Sequence, residues 1–164
     1  MKIVIATLLL PLQLLASRYE IAPGKFHKKG QADITVLPET TVYKVRMSYK
    51  LKSKDMVPVP KKFLQDEKIM EFPAEFKTEA GYQQLEKIQR INIPKATLTF
   101  TRRGDFANLK NAYFIEVRPH NKKSKINIVY HPSLPATGWQ KITITMLSSF
   151  PLLDGYKLEA NRVP

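Results

Sequence analysis

Residues 41–52, Thr-Val-Tyr-Lys-Val-Arg-Met-Ser-Tyr-Lys-Leu-Lys, alternate apolar and polar side chains from Tyr43 onward with a single phase. Successive side chains of an extended strand point to opposite faces. One face therefore carries Tyr43, Val45, Met47, Tyr49 and Leu51, and the other carries Lys44, Arg46, Ser48, Lys50 and Lys52. An amphipathic helix would space its apolar positions three and four apart, so this period argues for a strand. The stretch predicts a half-buried antiparallel strand with one solvated face.

The same period recurs on either side. Residues 32–37 form a candidate strand ending at Pro38, and 95–102 points Ala96, Leu98 and Phe100 inward. Residues 111–118 bury Tyr113, Ile115 and Val117; 125–130 bury Ile126, Ile128 and Tyr130. Residues 140–147 bury Ile142, Ile144 and Met146, and 156–160 bury Tyr156, Leu158 and Ala160. The gaps at 103–105, 119–124, 131–138 and 151–155 are rich in turn residues. In the middle, Pro58, Pro60 and Pro73 discourage a central strand over 53–77. Tyr82, Leu85 and Ile88 then recur at helical spacing behind Thr78, a good N-cap, although Gly81 weakens that helix. Short strands separated by turn signals predict an all-β, mainly antiparallel fold. It is either a partly closed β-barrel or a two-sheet β-sandwich, with one short helix or long excursion in the middle, since both architectures produce this alternation.

At the N-terminus, Lys2 precedes an almost wholly apolar run over 3–15, which ends in Ala16 and Ser17. The run is shorter than the ~20 residues a membrane-spanning helix needs. A positive head, an apolar stretch and a small-residue end are the parts of a secretory signal peptide. A core strand of an α/β protein would instead require alternating helices downstream, which are not seen. The expected organisation is a signal peptide over 1–17 and a single β-rich domain over 18–164, periplasmic or secreted, with no transmembrane anchor in the mature chain. There is no cysteine, which excludes disulfides and an acylated lipoprotein cysteine.

The formal net charge is +13, or +12 once Lys2 leaves with the leader. The segment 66–86 opposes this trend, with six acids against Lys68 and Lys77. A charge of this size attracts anions over a distance. Outside the cytosol no nucleic acid is expected, and the available anions are lipid headgroups and envelope polymers.

Motifs for catalysis are scarce. His27, His120 and His131 lack zinc spacing and are expected as exposed loop residues; no metal or cofactor is expected. A Gly-X-Ser-X-Gly elbow, a phosphate-binding glycine loop and His-Glu-X-X-His are all missing. Residues 37–41, Leu-Pro-Glu-Thr-Thr, lack the final glycine of a sortase signal and lie at the wrong end of the chain.

The remaining candidates are surfaces and an interior. Lys25, Lys28 and Lys29 form one basic cluster, and Arg118, Lys122, Lys123 and Lys125 form another. Lys44, Arg46, Lys50 and Lys52 make a row about 27 Å long on the outer face of 41–52. Like charges side by side on a sheet repel, so this row needs acidic neighbours, for which 66–86 is the candidate, or a partner. In a meander, Arg102, Arg103, His131 and Trp139 would share one rim, with Trp139 either exposed there or plugging the core. Tyr43, Tyr49, Tyr113, Tyr130 and Tyr156 face inward, and buried phenols need hydrogen-bond partners. These features lead to an expectation of a non-catalytic envelope binding protein for an amphiphilic or anionic ligand, with peripheral membrane contact possible. The alternatives are an accessory of envelope assembly or secretion that binds a protein through its basic face or sheet edge, and a carboxylate-dependent cell-wall hydrolase.

Overall fold

The alternating stretch at 41–52 supplies β3, Tyr43–Lys50, whose inward residues Tyr43, Val45, Met47 and Tyr49 are all buried. The computed structural model describes residues 16–38, 41–54 and 61–164, without the Lys62 side chain. Around β3 lie β1 (Ala16–Ile21), β2 (Gly30–Val36) and β4 (Gln65–Phe72), with a single helical turn α1 (Lys61–Leu64) before β4. A 3-10 turn, Ala74–Lys77, and the helix α2 (Glu79–Ile88) follow. The chain continues through β5 (Arg90–Ile93), β6 (Ala96–Phe106), β7 (Leu109–Pro119), β8 (Ser124–Tyr130), β9 (Trp139–Met146) and β10 (Lys157–Arg162).

All ten strands belong to one antiparallel sheet in the order β4-β3-β2-β1-β10-β9-β8-β7-β6-β5. The fold is a nearly closed, barrel-like sheet, so the barrel form of the expectation holds and the two-sheet sandwich does not. Both halves are simple meanders, joined where β1 pairs with β10 through Tyr19↔Arg162 and Ile21↔Ala160. The sheet's free edges are β4 and β5, and residues 73–89 run from one to the other.

Several local expectations are corrected. Residues 103–105 are not a turn: β6 runs through them with irregularities at Phe100/Arg102 and Gly104/Phe106, and the chain reverses at 107–108. The excursion over 53–77 contains β4, which alternation did not reveal because this edge strand carries charge on both faces. Asp66 and Lys68 lie on the side that also bears Met70 and buried Phe72. Inward-pointing charges of this kind discourage pairing with a foreign strand. The nitrogen of Lys68 lies 3.9 Å from an Asp66 carboxylate oxygen, and burial lowers the ammonium pKa. β1 begins at Ala16, and both Ala16 and Ser17 pair with β2. The first fifteen residues of the expected signal peptide lie outside the described residues.

The helix forms as its spacing predicts. The Thr78 hydroxyl accepts from the Ala80 N–H at 3.4 Å, and Tyr82 and Leu85 are buried, although Ile88 is exposed. Tyr82 enters the barrel interior, where its ring stacks on Tyr130 at 3.6 Å and its hydroxyl accepts the Trp139 indole N–H at 2.8 Å. Phe72 packs edge-on against Trp139 at 5.8 Å, and Phe76 against Tyr82 at 5.0 Å. The helix thus plugs the barrel that its neighbours leave open.

Candidate functional site

An up-and-down sheet sends successive connections to opposite ends, and this sorting segregates charge. One end gathers the connections 22–29, 94–95, 120–123 and 147–156 and the described parts of 51–64, which together carry nine described lysine side chains against Asp154. Among the described residues, the opposite connections at 73–89, 107–108 and 131–138 carry Glu75, Glu79 and Glu86 against Lys77 and Lys87. The described connections at one end are therefore strongly basic, and those at the other are nearly balanced in charge.

Tyr156 ties the basic end together. Its hydroxyl accepts the Phe26 N–H at 2.8 Å and lies 2.6 Å from His27 Nδ1. His27 Nε2 lies 2.8 Å from the Ala22 carbonyl, which can only accept, so Nε2 is a donor, and in the neutral ring Nδ1 accepts the Tyr156 proton. The Tyr156 ring stacks on Phe26 and meets Phe63 of α1, each at 5.2 Å. Backbone bonds from Lys28 N–H to the Lys52 carbonyl (2.8 Å) and from Lys54 N–H to the Phe26 carbonyl (3.1 Å) join 22–29 to the β3–β4 connection. His27 is thus buried, against the expectation of an exposed loop residue. Gly24 is needed here because a Cβ would lie 2.4 Å from the His27 ring. His120 is exposed as expected, whereas His131 is half-buried and lies 2.6 Å from Ser133 Oγ and 2.9 Å from the Lys110 carbonyl.

The tyrosines singled out by alternation mostly belong to a packed core. Tyr43, Tyr49, Tyr113 and Tyr130 are buried, and Tyr156 is half-buried. The Tyr113 hydroxyl donates to Glu79 at 2.9 Å, and that of Tyr49 to the Phe63 carbonyl at 3.4 Å. Tyr43 packs against Phe72, and Tyr113 and Tyr130 pack against Tyr82, so rings of the same chain occupy the interior around them.

The basic row of β3 is answered by its neighbour. Lys44 stands opposite Glu71 and Ser48 opposite Glu67, and Arg46 lies 3.9 Å from Glu67. Lys50 stands opposite Gln65, and Lys52 has left the strand for the basic end. Arg118 and Lys125 share Glu116, at 3.1 and 3.9 Å, while Lys122 and Lys123 are exposed in the turn beyond.

Within the expected rim of Arg102, Arg103, His131 and Trp139, the tryptophan takes the core-plugging alternative, while His131 bonds the Lys110 carbonyl beside the Asn111 carbonyl that Arg103 bonds. Trp139 has no exposed surface and plugs the core. Arg102 lies over Phe114 at 3.6 Å. Arg103 lies over Tyr113 at 3.7 Å and also bonds Glu86 and the Asn111 carbonyl.

Two open grooves mark the outer wall. One, about 780 Å³, descends to the basic end between Arg90, Thr97, Arg118, His120, Lys122 and Leu147. The other, about 610 Å³, lies over β2–β4 and gathers Asp33, Asp66 and Glu67 near Lys50. Among the described residues no cluster of three or more His, Asp or Glu could hold a metal ion.

The β9–β10 turn expected at 151–155 forms, but its exposed apolar side chains were not anticipated. Phe150 and Leu152 there are 70% and 75% exposed, the most exposed large apolar side chains among the described residues. The available signal was an apolar Phe-Pro-Leu-Leu run inside a turn.

No helix among the described residues is long and apolar enough to cross a membrane. The barrel wall itself bears Arg46, Glu67, Glu116, Lys125 and Glu159 outward, the reverse of a membrane-spanning barrel's apolar outer band. No family model, curated protein or solved structure matches the chain.

Proposed function

We propose that this is a non-catalytic binding protein of the cell envelope that takes an anionic, amphiphilic component at the basic end of its barrel. The observation that carries this reading is the sorting of nine described lysines to one end, while the described connections of the opposite end are nearly balanced in charge. Such asymmetry orients a molecule in the field of an anionic partner and concentrates that partner at one pole. The leader-like residues 1–17 support an envelope location. The interior supports carriage of a ligand least, because Tyr82, Trp139, Tyr130 and Phe72 already fill it. A partner held by the β3 face has less support, since Glu67 and Glu71 already face that row.

The test is retention on immobilised polyphosphate at increasing salt. Changing Lys25, Lys28, Lys122 and Lys123 to Gln should cause elution at clearly lower salt. Changing Lys44, Arg46 and Lys50 to Gln should have little effect. The reverse ranking would move the site to the β3 face, and no retention of the parent chain would sink the reading.

A further inference from the structure

Resting on the reading above, we infer that the anionic component is the surface of a lipid bilayer, and that the β9–β10 turn is the element that enters it. The turn is built to hold apolar residues outward. The Ser148 N–H donates to the Asp154 carboxylate at 3.2 Å, and the Phe150 N–H to the Ser148 hydroxyl at 3.1 Å. The Phe150 carbonyl accepts from the N–H groups of Leu153 and Asp154, and the Gly155 N–H closes onto the Met146 carbonyl at 2.7 Å. Gly155 has φ +79°, the left-handed region that favours glycine. Within this frame Leu153 packs against the core, whereas Phe150 and Leu152 face solvent. A locally bonded turn is presenting these two side chains, and water is a poor partner for both.

Lysines surround the turn. The Leu147 N–H donates to the Lys123 carbonyl at 2.9 Å, which places Lys122 and Lys123 on one flank. Through Tyr156 the other flank is the 22–29 connection with Lys25, Lys28 and Lys29, and Lys157 follows in the chain. All six are exposed. Long lysine stems lie along apolar surface while their ammonium groups reach phosphate, so an apolar tip inside a lysine ring matches the depth profile of an anionic membrane interface. A soluble polyanion would engage the lysines and have no use for Phe150 and Leu152. A protein partner is disfavoured because the cations of these connections are all lysine, which is depleted at protein interfaces where arginine is enriched. The charged wall limits entry to the tip, so the barrel stands end-on.

The test uses the protein as purified from cells that export it. Sedimentation is measured with vesicles of mixed phosphatidylglycerol and phosphatidylcholine, with pure phosphatidylcholine vesicles and polyphosphate retention as comparisons. The parent should bind the anionic vesicles and largely ignore the zwitterionic ones. The double variant Phe150→Ser/Leu152→Ser should bind anionic vesicles roughly 10- to 100-fold more weakly. Its polyphosphate retention and thermal midpoint should stay unchanged. In a separate variant, Phe150→Trp should add a fluorophore whose emission shifts to the blue on anionic vesicles. Unchanged vesicle affinity of the double variant would overturn the insertion and leave the basic-end reading standing. Polyphosphate retention without vesicle binding would overturn the lipid assignment alone, and loss of both would overturn both. If the double variant loses a co-purifying protein yet binds vesicles like the parent, the tip belongs to a protein partner and the inference fails.

Discussion

Burial holds the phenols of Tyr49, Tyr113 and Tyr130 near 12, two units above their ordinary 10.0. Desolvation is the leading cause at all three. Asp66 adds to it at Tyr49, and Glu79 at Tyr113 and Tyr130, while Arg103 opposes it at Tyr113. Because the folded chain holds these protons more tightly than the unfolded chain, their contribution to stability is complete below pH 10. It is lost as pH rises from about 10 towards 12. The urea midpoint should therefore fall across that window, with the buried tyrosinate absorbance appearing together with unfolding. Early ionisation of these three phenols in an intact fold would contradict their burial. The alternation at 41–52 had marked Tyr49 as an inward residue. It carried no information on whether the interior beyond the ring would hold a ligand or other rings of the same chain.

At the scale of elements, the helix shows how a local rule is overridden. Gly81 counts against a helix on propensity, and replacing an interior glycine by alanine ordinarily gains about 1 kcal/mol. In this fold a Cβ at Gly81 would stand 2.7 Å from the Phe76 nitrogen and 2.8 Å from the Glu75 carbonyl oxygen. The 3-10 turn lies directly against the helix, so the glycine serves close approach. Gly81→Ala should destabilise by roughly 1–3 kcal/mol in urea unfolding, as overpacking does. A gain in stability would mean that the turn yields readily. The same limit explains β4. Its pairing with β3 is set by the partner strand, through Tyr43↔Phe72 and Val45↔Met70, while its own residues show no clean apolar face.

For the whole molecule, the gap between β4 and β5 and the plug that fills it form one unit. Trp139 meets Phe72 from one free edge, while its indole N–H is accepted by Tyr82 from the helix. The Trp139 carbonyl in turn accepts from Tyr19 and Arg162, tying in β1 and β10. Trp139→Ala should lower stability by about 3–5 kcal/mol, measured by urea unfolding below the transition temperature of the variant. Because the basic end lies at the opposite pole, the folded variant should keep the parent's polyphosphate retention. Altered retention would show that the two ends are coupled.

What the sequence determined by itself was periodicity. The alternation from Tyr43 to Lys52 and its echoes dictated strands, their inward residues and an antiparallel all-β chain, because side-chain direction along a strand depends only on position parity. Tyr82 and Leu85 behind Thr78 dictated the helix for the same local reason. The tertiary structure alone decided closure. Pairing of β1 with β10 joined two meanders into a barrel, and only that joining gathered Lys25, Lys52, Lys95 and Lys122 at one pole, with Phe150 and Leu152 among them. These lysines lie far apart in the chain, and no local pattern encodes which connections will share an end. That depends on strand order around the sheet, which long-range hydrogen bonding and the filling of the core determine together.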